Sequence, residues 1–183
     1  GKYIFILNPD VLFIEDTLNI IFQNVKKIKK IGAAGPRIHD GKGNYQRSFW
    51  RKPSLSNVLK SMVYLDFLNF KKNYYNIKPS KNFEVETLSG SAFMVRKDIF
   101  DEIGGLNQDL FWMEDIYFCV RLKNIGLKNF YIPKTKIIHF GGKISEKNYN
   151  ISIPNQILSK VKYFHIHHSN LKANSLYFSI LFI

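Results

Sequence analysis

A single cysteine, Cys119, is all the thiol this 183-residue chain carries. A disulfide within the chain is therefore excluded, as is a cysteine-rich zinc site, and a reducing compartment such as the cytoplasm fits best. Acid is scarce as well: 14 Asp and Glu stand against 27 Lys and Arg, a formal charge of +13. That imbalance points to an anionic partner, and nucleic acid, a nucleoside diphosphate and an anionic membrane surface all qualify. Charge alone does not choose among them, and much of the Lys content accompanies an Ile/Asn/Phe-rich composition. No run of ~20 apolar residues occurs, so no complete transmembrane helix is present. No signal core opens the chain either, because Lys2 precedes only Tyr3 to Leu7, a stretch of strand length. The sequence enters that strand after only Gly1 and Lys2 and reads as a fragment or a processed form.

The rest of the composition is that of a globular domain, with 45% hydrophobic and 22% charged residues and 16 Phe and 10 Tyr as core and pocket material. Tyr3 to Leu7 is a continuous apolar run, the pattern of a strand buried on both faces, and it ends at the turn Asn8-Pro9-Asp10. Leu18, Ile21, Phe22, Val25 and Ile28 predict a helix from about Asp16, with lysines at its C-terminal end and Gly32 as its stop. Further strands are expected over Ile31–Ile38, Glu84–Leu88, Ala92–Val95, Leu127–Ile132 and Thr135–Phe140, the last two separated by Pro133. Helices are expected from Ser54 to about Phe70, from Lys97 to Ile103 and from Glu114 to Gly126, with a polar, Tyr-rich loop over Lys71–Asn82. Strands alternating with helices predict an α/β layered fold. The apolar end Leu176 to Ile183 suits either a terminal helix covering part of the core or the start of a membrane-facing helix.

Four constellations could carry chemistry. Asp10 follows a buried strand through a proline turn, where ligands collect in open α/β sheets, and a carboxylate there can hold a hard divalent cation against phosphate oxygens. Taken alone, Asn-Pro-Asp is also an ordinary turn. Glu114 and Asp115 start a helix directly behind the aromatic loop Leu110-Phe111-Trp112. Acids at that position stabilise the helix N-terminus, and one of them could equally be a general base in a cleft whose floor Trp112 offers to a sugar ring. Ser89-Gly90-Ser91 lies between two strands, where glycine permits either close approach to a ligand or a simple bulge. His139 stands at a strand end before Phe140-Gly141-Gly142, as a structural histidine or, if it lies near Asp10, a metal ligand.

Order and spacing are more specific than any one of these. From Leu88-Ser89-Gly90-Ser91 through Ile103-Gly104-Gly105-Leu106-Asn107, Trp112-Met113-Glu114-Asp115 and Tyr131-Ile132-Pro133 to Ile138-His139-Phe140-Gly141-Gly142, the chain resembles family 2 glycosyltransferases of the GT-A fold, in their bacterial rhamnosyltransferase-like branch. Phe5 to Val11 resembles that branch's version of the DxD metal motif, with Asn8 where many relatives carry the first Asp. The resemblance covers about residues 2 to 142. It implies a GT-A fold, α/β with a mostly parallel sheet flanked by helices, lacking at its N-terminus the βαβ portion that binds the nucleoside. Residues 1–142 would be the catalytic part and residues 143–183 a helical, membrane-facing extension.

The resemblance also implies roles. Asp115 would be the catalytic base, Trp112 and Glu114 would bind the acceptor, and Asn8, Asp10, Ser89, Gly90 and Ser91 would bind the donor. Asp10 and, less securely, His139 would hold Mg²⁺ or Mn²⁺. The implied reaction moves a sugar, with inversion, from a nucleoside-diphosphate sugar to a saccharide or lipid-linked saccharide in polysaccharide biosynthesis. The basic surface then suits a cytoplasmic protein lying peripherally on the inner face of the cell membrane. Two other readings remain: an inactive remnant of the fold, and a nucleic-acid-binding module using the basic, aromatic segments Tyr45–Lys52 and Lys71–Tyr75. The second leaves Asn8-Pro9-Asp10 and Glu114-Asp115 unexplained, so nucleic acid is not the expected partner.

Overall fold

The computed structural model describes residues 1–62, 80–141 and 149–180. The expected first strand forms as β1 (Tyr3–Leu7). A short strand not foreseen, β2 (Val11–Phe13), follows the proline turn. The first helix, α1 (Thr17–Lys27), turns Ile21 and Val25 inward. It ends before the expected stop: Lys30 takes the left-handed conformation at φ 57°, and Gly32 already lies in β3 (Ile31–His39). The pair β4 (Tyr45–Gln46) and β5 (Phe49–Trp50) precedes α2 (Leu55–Met62), which Ser54 caps by accepting the Asn57 amide at 3.3 Å. The predicted continuation of this helix to Phe70, the loop from Lys71 to residue 79 and the segment Lys71–Tyr75 lie outside the described residues.

Then come β6 (Phe83–Val85), β7 (Thr87–Leu88), β8 (Ala92–Arg96), α3 (Lys97–Glu102) and α4 (Glu114–Asn124). Pro133 does not split the next strand. One strand, β9 (Lys128–His139), runs through it, and the register against β3 shifts between Pro36 and Arg37, where the facing residue jumps from Ile132 to Lys136. The irregularity absorbs a proline that has no N–H to give to a ladder. The chain closes with α5 (Tyr149–His167) and α6 (Asn170–Ile180).

The main sheet has the order β1-β8-β3-β9-β2, with β4 on β3 and β6 on β9. Its parallel character is less than expected. Among the described residues β3 with β9 is the parallel pair, and β1–β8, β3–β8, β2–β9, β3–β4 and β6–β9 are antiparallel. The reason is that a strand covered on both faces is apolar throughout whichever way its neighbour runs. β8 shows the double cover: Phe93 and Val95 enter a core with Phe118, Cys119 and Leu122 of α4, while Met94 enters one with Ile21 and Val25 of α1. A third cluster joins α5 and α6 to the loop before α4 through Leu110, Met113, Val161, Tyr163, Phe164, Ala173 and Leu176.

Candidate functional site

The ends of four strands, β1, β2, β8 and β9, and the start of α4 meet at one end of the sheet. Because β1 and β8 run antiparallel with Leu7 opposite Ala92, Asn8 and Ser91 leave the sheet side by side, and the Asn8 amide donates to the Ser91 carbonyl at 3.0 Å. The short strand β2 fastens Asp10 to the end of β9: Val11 pairs with His139, and the Phe140 amide donates to the Asp10 carbonyl at 3.0 Å. His139 Nε2 lies 3.4 Å from Asp10 Oδ1 and 3.3 Å from Asn8 Nδ2, and Ser91 Oγ is 3.4 Å from Nδ1. The Asp10 side chain is 37% exposed and that of His139 12%, so the imidazole forms the wall and the carboxylate faces solution. The backbone after His139 folds back over the ring: a Cβ on Gly141 would sit 2.7 Å from His139 Cε1, so a larger residue there would have to displace the imidazole.

Gln46 completes this cluster and was not foreseen. Its Oε1 lies 3.2 Å from His139 Nδ1. Gln46 Oε1 only accepts and Asn8 Nδ2 only donates, so these two contacts fit a ring proton on Nδ1 and a lone pair on Nε2, while the Asp10 oxygen 3.4 Å from Nε2 fits that tautomer only with a cation between them. That tautomer is the one a metal-binding histidine needs, with a partner fixing its far nitrogen. Among the described residues no group of three or more His, Cys, Asp and Glu could hold a metal. The donor set fits a hard cation completed by phosphate oxygens and water, since Mg²⁺ and its like use few protein ligands at phosphate sites.

The second half of the site is the turn Ser89–Ser91 against the start of α4. The Gly90 amide donates to Asp115 Oδ2 at 2.6 Å, and the Ile116 amide to Asp115 Oδ1 at 2.7 Å. Ser89 is tied in by its own amide to the Ser48 carbonyl and by its hydroxyl to Ser91 Oγ at 3.0 Å. Gly90 and Ser91 are consecutive, so one peptide step separates the Asp115 carboxylate's partner from the partner of His139. Burial pushes the Asp115 carboxyl above its ordinary range, against the pull of the Gly90 and Ile116 amides. A carboxylate so placed is a better proton acceptor than one in water.

Glu114, on the adjoining face of α4, is pushed up to about 7, chiefly by burial, and its enclosed Oε2 has no hydrogen-bond partner among the described residues. Trp112 and Phe111 form a partly open aromatic surface just ahead of the helix, 37% and 64% exposed, with ring centroids 5.9 Å apart. Among the described residues no hydrogen bond ties Trp112 or Glu114 to the strand-end cluster, and both adjoin it through their place in the chain beside Asp115. Cys119, one turn further along, is not a nucleophile: it is buried, its thiol is pushed up to about 12, and its sulfur accepts the Leu88 amide at 3.3 Å. In the segment Tyr45–Lys52, Phe49 is fully buried and Arg47 lies 5.3 Å over the Trp50 ring, so neither ring stands bare for a nucleic-acid base.

The chain has similar sequences and a similar fold among known proteins. Over 145 residues the chain is 28% identical to N-acetylglucosaminyl-diphospho-decaprenol L-rhamnosyltransferase of Mycobacterium tuberculosis, which spans 75% of this chain and 46% of that protein. It is 27% identical to rhamnosyltransferase WbbL of Escherichia coli K12, over 75% of this chain and 52% of the relative. The chain thus spans about half the length of the curated relatives it matches. A solved structure of GalNAc-T7 with UDP, GalNAc and Mn²⁺ matches 76% of this chain and 27% of its own, at a TM-score of 0.51 and 14% identity. No family model matches. In sequence the chain is rhamnosyltransferase-like, and its fold is GT-A.

Proposed function

Starting from a rhamnosyltransferase-like chain with a GT-A fold, we propose that it is the catalytic part of an inverting glycosyltransferase. It moves a sugar from a nucleoside-diphosphate donor to a hydroxyl of a saccharide or lipid-linked saccharide. The names of the matching relatives make rhamnose the first sugar to test and a polyprenyl-diphosphate N-acetylglucosamine the first acceptor. The observation that carries the reading is the run of contacts from Asp115 through Gly90 and Ser91 to His139 and Asp10. It sets a shielded carboxylate and an open carboxylate–imidazole pair at the same end of the sheet. Transfer in one step needs a base on the acceptor side and charge stabilisation on the leaving-group side.

In this reading Asp115 takes the proton of the acceptor hydroxyl as its oxygen bonds to the anomeric carbon, and the bond from that carbon to the diphosphate breaks with its electrons leaving on the diphosphate. Gly90 and Ile116 hold the base in place through their amides. Ser89, Gly90 and Ser91 line the donor sugar, Asn8 lies beside the diphosphate, and Trp112 and Glu114 shape the acceptor pocket. Asp10 and His139 would hold Mg²⁺ or Mn²⁺, which when bound offsets the charge developing on the diphosphate. The fold neighbour solved with UDP and Mn²⁺ is in keeping with this. Work on a lipid-linked acceptor goes with a peripheral position on the inner membrane face. Among the described residues no helix is long and apolar enough to cross a membrane.

The test is direct. Full-length protein is incubated with nucleoside-diphosphate rhamnose, a polyprenyl-diphosphate N-acetylglucosamine and Mg²⁺, and the product is examined by mass spectrometry and by NMR at the new anomeric centre. A disaccharide-lipid of inverted configuration is expected. Release of free sugar alone, or retention of configuration, overturns the mechanism.

A further inference from the structure

At Glu86 the chain leaves the main sheet, where Val85 faces Asn129 of β9, for the small sheet, where Leu88 faces Phe49 of β5. It then runs directly into the Ser89–Ser91 turn. A set of hydrogen bonds ties this stretch to α4. Asn129 Nδ2 donates to the Glu86 carbonyl at 2.9 Å and to the Cys119 carbonyl at 3.1 Å. The Leu88 amide donates to Cys119 Sγ at 3.3 Å, and the Gly90 amide to Asp115 Oδ2 at 2.6 Å. Residues 86, 88 and 90 alternate, as groups along one side of an extended chain do, and Asp115 and Cys119 are four apart, on one face of a helix. The contact of Asp115 with Gly90 is the last rung of a ladder whose first rung is Asn129.

Asn129 is well placed to hold both sides. It is wholly buried, and its backbone is fixed between Ala33 of β3 and Val85 of β6. Its two partners settle which way the amide points: two carbonyl oxygens need two donors, and the NH₂ group has one hydrogen for each. Its enclosed Oδ1 has no hydrogen-bond partner among the described residues. A buried amide with one end unpartnered is costly where an apolar side chain would serve. What it supplies is a link between the bend at Glu86 and the middle of α4.

We infer that Asn129 is a positioning residue for the base. By joining the bend to α4 it sets the register of that helix against the strand beneath, and so the place of Asp115 on the Gly90 amide. Cys119 carries the setting one step further through the Leu88 amide. Being wholly buried, Asn129 touches neither donor nor acceptor and acts through Asp115. The inference rests on the transferase reading for the role of Asp115.

A double-mutant cycle in the full-length protein, assayed by sugar transfer, tests this. Asn129→Leu keeps the size of the side chain and removes both donors. It should lower kcat about tenfold, as a shift of a fraction of an ångström does, and leave the donor KM within about twofold, because Asp10 and His139 are held by other contacts. In the Asp115→Asn background the same substitution should change kcat by less than about twofold, since an effect exerted through the base vanishes with the base. Cys119→Ala should act in the same direction, and Cys119→Ser, which restores an acceptor, should recover most of the rate. If Asn129→Leu does not fold, this pair replaces it in the cycle. The Gly90 amide proton gives a readout free of turnover. A carboxylate at 2.6 Å holds it downfield in the NMR spectrum, and Asn129→Leu should move it upfield. An unchanged kcat, a loss of rate that persists in full in the Asp115→Asn background, or an unmoved Gly90 resonance overturns the inference. Full activity of Asp115→Asn alone sinks the assignment of the base and the inference with it, and that failure is told apart because the single variant shows it.

Discussion

Gly90→Ala probes the contact on which the active-site reading turns. A Cβ at this position would lie 3.2 Å from both Cβ and Oδ2 of Asp115 and 3.4 Å from its Cγ. Carbon atoms in good contact are about 3.5–4.0 Å apart, so something must move. Asp115 has little room to retreat, because its Oδ1 is held by the Ile116 amide and α4 is anchored by the fully buried Phe118, Cys119 and Leu122. The turn must shift instead, against the hydrogen bonds from the Ser89 amide to Ser48 and from the Asn8 amide to Ser91. Overpacking of this kind costs about 1–3 kcal/mol, and stretching a charge-assisted hydrogen bond adds to it. A loss of about 2 kcal/mol corresponds to a thermal midpoint lowered by roughly 4–8 °C in a chain of this size. Displacement of the base by a fraction of an ångström should reduce turnover by about 10–10². Differential scanning calorimetry and the transfer assay read the two effects. A variant with unchanged midpoint and unchanged turnover would refute the packing of this turn against the carboxylate, and with it the placement of the base.

Asp115→Asn should lower kcat by about 10²–10⁴ with donor affinity intact, and retention of most activity removes Asp115 from the role of base. Asn offers one carbonyl to two amide donors, so the variant should also lose about 1–2 kcal/mol of stability in denaturant titration, less whatever is regained by removing a buried charge. Asp10→Ala should weaken Mn²⁺-dependent binding of a nucleoside diphosphate at least about tenfold by calorimetry, and Gln46→Leu should weaken it similarly by freeing the imidazole. Unchanged titrations would remove both residues from the cation site. For Glu114 the folded-state value of about 7 lies above the ordinary 4.5, so its ionisation opposes folding. Its unfavourable contribution is absent below that ordinary value, grows as pH rises toward 7 and is constant above it. Glu114→Gln should therefore stabilise the protein on the order of 1 kcal/mol at about pH 8, after discounting for its partial exposure, and should bring no such gain in acid. A gain equal at both pH values would place the effect elsewhere than in the carboxyl's charge.

How much could be read from the sequence follows from how local each feature is. β1 was legible because Tyr3 to Leu7 is apolar throughout, and α4 because Glu114 and Asp115 open it and Gly126, at φ 82°, follows it. β2 was not: three residues carry too little pattern, and what makes Val11–Phe13 a strand is pairing with Ile137–His139, far along the chain. That same pairing sets Asp10 beside His139, so the likeness of motifs could suggest the two as metal ligands without giving the physical cause of their meeting. Pro133 was read as a break because a proline cannot join a ladder, yet the shift in register beside Pro36 accommodates it. Strand direction stayed hidden since apolar runs report burial alone. Gln46 sits in a basic, aromatic stretch and shows nothing unusual until β4 lies against β3 with Gln46 opposite Ile38. Lys30 gave no sign that it would take the left-handed turn expected of a glycine.

The claim at the centre is that the carboxylates of Asp10 and Asp115 face one cleft in which a pyrophosphate and an attacking hydroxyl meet. A crystal structure of the full-length protein with Mn²⁺ and a nucleoside diphosphate, read by anomalous scattering, tests it most directly. The account predicts a manganese peak within bonding distance of Asp10 and His139, with the terminal phosphate lying on the side of the Ser89–Ser91 turn where Asp115 sits. A nucleotide bound elsewhere, or a phosphate separated from Asp115 by the body of the sheet, would contradict it.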